Sequence, residues 1–340
     1  MSYTSCVRLT AAVLVFLNLH SLLGGPCFGV VGQKRLRKLQ EQAGLVVHSP
    51  AAVRRQVPLS SSGKALLRRI TAAQTWEVVE QLVQKYTGNE IQIFNAAMQK
   101  ALSLGRYRQG ATIYNRLCNS NVTKHPATYT AAITLHSRLG YAEAVQDIWK
   151  EGLRTHGMDT VLASARIRAA AREGDIETAV RILDEMNETG IEINVVHVSS
   201  ALRACWTAEG PRHNAAKYLF YTVLPRLCLQ PNRITFNNLL GALDTGPLSD
   251  IVSAYSDMKA LNVTPDAVTA ETFLLALFRK PKQQRWTNPE ITARHLRNED
   301  GARLSAARSA LRDFKASHVE LSELTRHIDD ALKLLAAERV

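Results

Sequence analysis

The side chains that could carry out chemistry in this 340-residue chain are few and scattered. His318 and Glu320 form the H-x-E fragment of zinc-dependent deaminases, in which the glutamate transfers protons beside a metal-bound water. The P-C-x-x-C fragment that completes such a site is missing, and so are the G-x-S-x-G and G-x-x-x-x-G-K-S/T motifs of hydrolases and phosphate-binding loops. The sequence therefore predicts no enzyme: we expect no catalytic residue, no metal site and no cofactor.

The cysteines do not form a recognisable framework either. No two of them have the C-x-x-C spacing of a zinc ribbon or a thioredoxin-like motif. An odd, scattered set also argues against a network of disulfides, so we expect reduced residues buried in the core. The five cysteines are Cys6, Cys27, Cys118, Cys205 and Cys228.

The positive charge of the chain is concentrated at its N-terminus. The formal net charge is +12. The first 75 residues contain ten lysines and arginines and a single acid, Glu41, so they carry +9 of this charge and the remaining residues carry +3. The basic composition is therefore weak support for nucleic-acid binding by the rest of the chain.

This N-terminal region is typical of a targeting leader. Arg8 precedes the short apolar run of residues 9–23, which fits a signal peptide over residues 1–30. Residues 31–63 are rich in basic residues and serine and nearly free of acids, as in a disordered transit peptide. A signal peptide followed by a transit-like segment resembles the bipartite leader of proteins sent to plastids of secondary origin. We expect an organellar protein, with the plastid favoured, a mitochondrion or a signal anchor as the alternatives, and no membrane segment in the mature form.

The stretch 173–194, EGDIETAVRILDEMNETGIEIN, predicts one amphipathic helix with its two ends. Asp175 can accept hydrogen bonds from the free N–H groups of the first turn, and Gly190 can adopt the left-handed conformation that follows a helix. Between them an apolar face recurs at spacings of three and four residues. This face consists of Ile176, Ala179, Val180, Leu183 and Met186.

This helix is the second half of a unit that recurs along the chain. Each unit starts with a helix-length segment, and the first three of these end at Gly105, Gly140 and Gly174. A second amphipathic segment follows in each unit. Since neither helix can bury its apolar face alone, the units must stack, and we predict an all-α solenoid of antiparallel helix pairs. The units are 91–125, 126–159, 160–194, 195–232 and 233–266, with a partial sixth at 267–281.

Short motifs at fixed places in these units resemble pentatricopeptide repeats. FN (94–95), TYT (128–130) and TFN (235–237) lie near unit starts, while DEM-x-x-x-G-I (184–191) and SDM-x-x-x-x-V-x-PD (256–266) lie near unit ends. The W-x-x-L-G-x-x-Y pattern of tetratricopeptide repeats is not present. The resemblance implies a superhelical solenoid that binds single-stranded RNA, one base for each unit.

The resemblance also implies which residues read the bases. In that family the fifth and the last residue of a unit together contact the hydrogen-bonding edge of one base. The implied target, read from 5′ to 3′, is pyrimidine-G-A-A-U, although the first pair departs from the family's pattern. So does Glu271 in the sixth unit, where a carboxylate would disfavour an anionic ligand. The pairs are Asn95 with His125, Thr130 with Asp159, Ser164 with Asn194, Ser199 with Asn232, and Asn237 with Asp266.

The second residues of four units are apolar and are implied to sandwich the bases: Val161, Val196, Ile234 and Val268. Packing between units is the alternative explanation for them. Arg138 and Arg172 each lie two residues before the unit's glycine and could contact phosphates. Exposed positions on a solvated helix face are the alternative for these arginines. For the last residues of the units the alternative is helix capping, which explains them without RNA.

Both flanks of the repeats are predicted to be helical caps. Residues 64–90 fit a degenerate leading helix pair that turns Trp76, Val79, Leu82 and Val83 inward. Residues 282–340 form the C-terminal cap, with helices expected at 303–316 and 319–338. The last helix carries an apolar stripe that either covers the final repeat or docks a partner helix. This stripe consists of Leu321, Leu324, Ile328, Leu332 and Leu335.

Together these features predict a sequence-selective binder of single-stranded RNA that acts in organellar RNA processing, stabilisation or translation. The alternative is a helical-repeat scaffold for protein–protein interactions that does not bind RNA. Five bases would recur about once in a thousand random positions, which is too often for a unique site. A protein partner, such as an RNA-processing factor, would then sharpen the selection.

Overall fold

The computed structural model describes residues 59–120, 122–278 and 288–338. The signal-peptide-like segment and nearly all of the transit-like segment lie outside these residues. The chain divides into two compact units, and the one described below consists of residues 48–225 and 229–340. The described residues contain helices and turns and no β-strand, which confirms the all-α prediction.

The helices alternate between the first and the second helix of successive repeat units. Two leading helices are α1 (Ser61–Ala72) and α2 (Trp76–Gln84). The first helices of the six units are α3 (Ile91–Ser103), α5 (Pro126–Arg138), α7 (Thr160–Glu173), α9 (Val195–Thr207), α11 (Arg233–Ala242) and α13 (Ala267–Leu277). The second helices are α4 (Tyr107–Cys118), α6 (Ala142–His156), α8 (Ile176–Glu188), α10 (His213–Tyr218) and α12 (Leu248–Ala260). The C-terminal helices are α14 (Pro289–Leu296), α15 (Gly301–Ala316) and α16 (Glu323–Ala337).

The first helices form one continuous row. Each of them packs against the first helix of the next unit, from α3 to α13, and each second helix contacts the first helix of the unit that follows. Small side chains permit this close stacking: Ala163, Ala169 and Ala170 of α7 are fully buried. The arrangement is the stacked solenoid that the period predicts, because only a neighbouring unit can cover the apolar face of each helix.

The ends of the helices follow from local sequence. In α8 the carboxylate of Asp175 accepts from the N–H of Thr178 at 2.9 Å, as its position predicts. At the other end Gly190 has φ +70°. Gly174, which follows α7, also has φ +70°, and a Cβ there would lie 2.8 Å from the Cα of Ala208. Glycine is therefore required at that turn both by its conformation and by the approach of the next unit.

The fourth unit is longer than the others for two reasons. Residues 208–212 lengthen the turn between α9 and α10. The second helix also contains a π-helical turn, Leu219–Val223, before it continues as Leu224–Arg226. A π turn accommodates an additional residue in a helix, and the sequence pattern does not reveal it.

The flanking helices are built as parts of the same stack. α1 begins at Ser61, slightly before the start predicted from sequence, and packs on α3. In α2 the four residues predicted to face inward are all buried: Trp76, Val79, Leu82 and Val83. In α16, Ile328, Leu332 and Leu335 are buried against the rest of the chain, with α14 as the main neighbour. Leu321 and Leu324 are half-exposed, so the apolar stripe is covered only in part.

The expectation that the cysteines are core residues is wrong for two of them. Cys205 is buried, while Cys118 and Cys228 are free and exposed because they lie in the last turns of second helices or just beyond them. Cys6 and Cys27 lie outside the described residues. Within the described ranges, no helix is both long and apolar enough to cross a membrane.

Candidate nucleic-acid interface

Four apolar side chains stand out from the row of first helices, and we call them the apolar row. Each is the second residue of its helix, two residues after the capping residue. All four are more than half exposed although they are β-branched and apolar, which argues against the packing alternative. The exposed fractions are 58% for Val161, 52% for Val196, 64% for Ile234 and 54% for Val268. The corresponding residues of the first two units are Gln92 and Ala127.

A groove of about 560 Å³ runs across the first helices of the third, fourth and fifth units. Val196 and Ile234 of the apolar row form part of its wall, and Ser199, Asn232 and Asn238 supply polar groups. The charged residues among those that line it are all arginines: Arg168, Arg172 and Arg203. The groove thus combines apolar surfaces, hydrogen-bonding groups and positive charge.

The arginines of this face form a cluster with Arg138, which we call the arginine cluster. Burial lowers the pKa of Arg172, and the positive charges of Arg138 and Arg168 lower it further. The Arg172 guanidinium donates to the hydroxyl of Ser137 and to the carbonyl of Arg168, both at 3.4 Å. In the described part of the chain, none of the four arginines has a carboxylate within 4.0 Å. Mutually repelling cations without a counter-ion favour an anionic ligand.

Sequence analysis missed two members of this cluster, Arg168 and Arg203. Each lies four residues after the fifth residue of its unit, Ser164 or Ser199, and is therefore one helical turn further along the same face. That spacing is the signal that could have found them. Arg138 and Arg172, which were predicted, follow at a further turn on this face. Two aromatic rings hold the arginines at the ends of the cluster: Arg138 lies over Tyr107 at 5.6 Å and Arg203 over Trp206 at 4.1 Å.

Three of the five predicted base-reading residues at the fifth position are hydrogen-bonded to the next unit. Each forms a 2.8 Å hydrogen bond with a threonine hydroxyl, which belongs to the third residue of the following first helix. Ser199 and Asn237 are nearly buried, and Asn95 is half-buried. The sequence did not indicate this role for the third residues. The bonded pairs are Asn95 with Thr128, Ser199 with Thr235, and Asn237 with Thr269.

The same threonines connect the fifth residue of a unit to its last residue. The hydroxyl of Thr269 lies 2.8 Å from Oδ1 of Asn237 and 2.9 Å from Oδ1 of Asp266. In the fourth unit, Thr235 joins Ser199 and Asn232 in the same manner, at 2.8 and 3.1 Å. These two predicted pairs are therefore brought together around one hydroxyl. In the first unit Thr128 bonds the side chain of Asn95 but only the backbone N–H of His125.

The second and third units lack this threonine. Leu162 occupies its place after Thr130, and the hydroxyl of Thr130 is buried without a hydrogen-bond partner. A buried hydroxyl without a partner costs about 1–3 kcal/mol, so a ligand that bonds to it would gain that energy. After Ser164 the place is taken by His197, whose Nδ1 accepts from the N–H of Asn194 at 3.1 Å. Burial lowers the pKa of His197, and the nearby Arg168 contributes to the same shift.

The last residues of four units act as helix caps. Asp159 accepts from the N–H of Leu162 at 2.7 Å, and Asn194 accepts from Val196 and His197. Asn232 and Asp266 accept from the N–H of their threonines at 3.1 and 2.8 Å. Each cap uses one side-chain oxygen, and in Asp266 the second oxygen, Oδ2, pairs with the Arg233 guanidinium at 3.3 Å. Base reading by these residues stays a prediction.

Comparison with known proteins agrees with this geometry. Residues 181–245, from the second helix of the third unit to the first helix of the fifth, match the profile of the pentatricopeptide repeat domain. This segment of the chain carries pentatricopeptide repeat sequence. No protein with a curated description matches its sequence significantly.

A solved structure of a pentatricopeptide repeat protein shares the fold. The pentatricopeptide repeat protein PPR10 from maize aligns with 97% of this chain at a TM-score of 0.56 and 17% sequence identity. PPR10 in complex with an 18-nt psaJ RNA element aligns with 83% of the chain at a TM-score of 0.47 and 20% identity. The alignments cover 43% and 40% of the PPR10 chains, so this chain spans less than half the length of the relative.

Among the described residues, no group of three or more histidine, cysteine or acidic side chains is arranged to hold a metal ion. His318 and Glu320, the H-x-E fragment, lie in the exposed turn between α15 and α16, and His318 has φ +53°.

Proposed function

We propose that the protein binds single-stranded RNA along the row of first helices and acts in organellar RNA processing, stabilisation or translation. The observation that carries this proposal is the groove in which Val196 and Ile234 alternate with polar side chains beside Arg168, Arg172 and Arg203. Stacking surfaces, hydrogen-bonding groups and cations are the three components that single-stranded nucleic acid requires.

The apolar row fits unpaired bases. Successive members belong to adjacent first helices that pack directly on each other, so they present a ladder of exposed aliphatic surfaces. A base inserted between two members would cover both of its faces and remove apolar surface from water, at about 25 cal/mol for each Å². A double helix cannot offer its bases in this way because they are already stacked.

The arginine cluster fits the phosphates of the same strand. It lies about two to three helical turns from the apolar row along the first helices, and it lacks carboxylate partners among the described residues. Phosphates bound there would relieve the mutual repulsion of Arg138, Arg168 and Arg172. Binding should therefore weaken as the salt concentration rises. The slope of this dependence should be small because few phosphates are contacted.

The polar groups beneath the apolar row give a basis for base selectivity. In the fourth and fifth units, the fifth and last residues meet around one threonine hydroxyl, which fixes the direction of their donors and acceptors. A fixed polar group discriminates between base edges more strongly than a mobile one. The target implied by the five pairs is pyrimidine-G-A-A-U.

The organellar assignment rests on the leader. Its apolar run, followed by a basic segment with almost no acids, is what an organelle-targeting peptide requires. We propose the plastid as the favoured compartment and the mitochondrion as the alternative. A protein partner, such as an RNA-processing factor, would supply the specificity and the chemistry that five bases and this face do not.

The proposal is tested by fluorescence anisotropy of the full-length chain with short labelled oligonucleotides. The RNA CGAAU is compared with a shuffled RNA of the same composition and with the corresponding DNA, in a salt series. We expect CGAAU to bind at least about tenfold more tightly than either control. Equal, weak binding to all three that disappears with salt would leave only charge attraction by the basic leader, and would favour the protein-scaffold alternative.

A further inference from the structure

The C-terminal cap contains the second half of a sixth repeat unit. α15 ends with the same hydrogen bond as the second helices of the third and fifth units. Val319 donates to the carbonyl of Phe314 at 2.9 Å, across His318 at φ +53°. The equivalent bonds run from Ile191 to Met186 at 2.8 Å and from Val263 to Met258 at 3.0 Å. The residues with positive φ there are Gly190 and Asn262.

The chain after α15 continues as it does between earlier units. Four residues beyond the positive-φ residue comes the cap of the next helix: Asn194 after Gly190, Asp266 after Asn262, and Ser322 after His318. Ser322 accepts from the N–H of Thr325 at 3.3 Å. Thr325 is fully buried at the third position of α16, as Thr235 and Thr269 are in their helices. The start of α16 is thus built like the first helix of a seventh unit.

Packing supports the same assignment. The ring of Phe314 lies 5.4 Å from that of Tyr255 in α12 and 6.3 Å from that of Phe273 in α13. Lys259 of α12 pairs with Asp313 of α15 at 2.7 Å. Earlier in the stack, Lys217 joins the second helices of the fourth and fifth units to each other by pairing with Asp250 at 2.9 Å. α15 is therefore the second helix of the unit that starts with α13, and the residues between α13 and α15 are an insertion that includes α14.

This assignment identifies the fifth and last residues of the sixth unit as Glu271 and Ser322. Unlike the pairs of the fourth and fifth units, they bond directly to each other: the Ser322 hydroxyl donates to Oε2 of Glu271 at 3.0 Å. Ser322 in turn lies 3.0 Å from the hydroxyl of Thr325. The pair is half-buried, and the Ser322 hydroxyl occupies Oε2 of Glu271.

A carboxylate at this place is unsuited to RNA. It can only accept hydrogen bonds when ionised, and it places a negative charge where a phosphodiester chain would continue past Val268. The fifth residues of the first five units are instead neutral: Asn95, Thr130, Ser164, Ser199 and Asn237.

We propose that Glu271, held by Ser322, is a stop at the end of the RNA-binding face, so that no base is accepted beyond the fifth unit. This inference rests on the proposed function. It makes Glu271 a residue that sets the length of the RNA bound, and Val268 the last stacking surface.

The test compares RNAs of two lengths on the full-length chain. CGAAU and CGAAUA are titrated by fluorescence anisotropy with the wild type and with the Glu271→Ser variant, since serine is the fifth residue of the third and fourth units. In the wild type we expect the added 3′ nucleotide to change the affinity by less than about twofold. In Glu271→Ser the added nucleotide should tighten binding about tenfold relative to CGAAU on the same variant, as one more stacked base does.

Two further variants control for charge and folding. Glu320→Ser removes an exposed carboxylate close by, and it should behave as the wild type. Glu271→Asn retains an acceptor for Ser322 without the charge, and it should show the same gain as Glu271→Ser. The proposed stop would be overturned, with the proposed function left intact, by either of two results. One is that the sixth nucleotide raises the affinity of the wild type, and the other is that it raises the affinity of neither Glu271 variant. Failure of the wild type to prefer CGAAU over its shuffled version would overturn the proposed function, and the stop with it.

Discussion

The hydroxyl of Thr269 bonds to Oδ1 of Asn237 across 2.8 Å, from the first helix of one repeat unit to the first helix of the unit before it. The same hydroxyl accepts from the N–H of Asp266 at 3.2 Å, so one threonine serves both as a helix cap partner and as a connection between units. Equivalent bonds join Asn95 to Thr128 and Ser199 to Thr235. The predicted base-reading positions are therefore also part of the interface that holds the stack together.

Replacing Thr269 with valine should lower the stability of the stack. Valine has the shape of threonine but leaves Oδ1 of Asn237 and the N–H of Asp266 without this partner inside the protein. We expect a loss of about 1–3 kcal/mol, measured as a lower midpoint of urea unfolding. Thr264→Val, at an exposed position, is the control and should leave the midpoint unchanged. An unchanged midpoint for Thr269→Val would show that the bond between units contributes nothing.

Ile234→Ser should weaken RNA binding without destabilising the fold. Its side chain is 64% exposed and forms part of the groove wall, so the substitution removes a stacking surface but few internal contacts. We expect the affinity for CGAAU to fall by about tenfold, with an unchanged unfolding midpoint. Val252→Ser is the matched control, because Val252 is 41% exposed but lies on a second helix. Equal effects of the two variants on RNA binding would argue against the apolar row.

Arg172→Gln should change the salt dependence of RNA binding. If Arg172 contacts a phosphate, its loss reduces the slope of log K against log salt by about one and weakens binding to all RNA sequences alike. Arg181→Gln is the control, since Arg181 pairs with Glu185 at 3.0 Å on a second helix. A slope that is the same in Arg172→Gln and the wild type would remove this arginine from the interface.

His197 lies where the fourth unit packs on the third, and it should make the stability of the protein depend on pH. Burial lowers its pKa below the ordinary value of 6.5, and Arg168 nearby acts in the same direction. The histidine therefore takes up a proton more readily in the unfolded chain than in the folded chain. The contribution of His197 to the free energy of unfolding is full above about pH 6.5 and is lost as the pH falls below that value. Protonation would also abolish the acceptor that binds the N–H of Asn194.

His197→Thr, which restores the threonine found at this place in other units, should reduce that loss. The measurement is the unfolding midpoint at about pH 8 and about pH 5.5, where the wild type should lose more stability than the variant. His295→Thr, at an exposed histidine, should retain the pH dependence of the wild type. The explanation is wrong if His197→Thr and the wild type lose equal stability on acidification.

Much of the fold was predictable because it is determined by local sequence. Four first helices begin directly after a capping residue, which is the last residue of the preceding unit: Asp159, Asn194, Asn232 or Asp266. Gly174 ends a first helix because glycine tolerates the positive φ and the close contact at that turn. The period then fixes which faces must stack. These features depend on residues within one or two turns of each other, so a single sequence displays them.

The contacts between units were not predictable in the same way. Thr235 and Ser199 are 36 residues apart, and their bond follows from the angle at which one first helix lies on the next. Leu162 interrupts this pattern and leaves the hydroxyl of Thr130 without a partner. The sixth unit was hidden because the insertion before α15 breaks the period, although the spacing from His318 to Ser322 repeats that of earlier units.

The central claim is that the units read bases, and the second unit tests it most directly. Thr130 and Asp159 are implied to select guanine, and the hydroxyl of Thr130 has no partner within the protein. The measurement is the affinity for CGAAU and for CUAAU of the wild type and of the variant Thr130→Asn, which gives the second unit the same pair of residue types as Asn237 with Asp266, the pair implied to select uracil. We expect the wild type to prefer CGAAU by about 1–3 kcal/mol and the variant to lose that preference in favour of CUAAU. Identical affinities of both proteins for both RNAs would contradict base reading by these repeats.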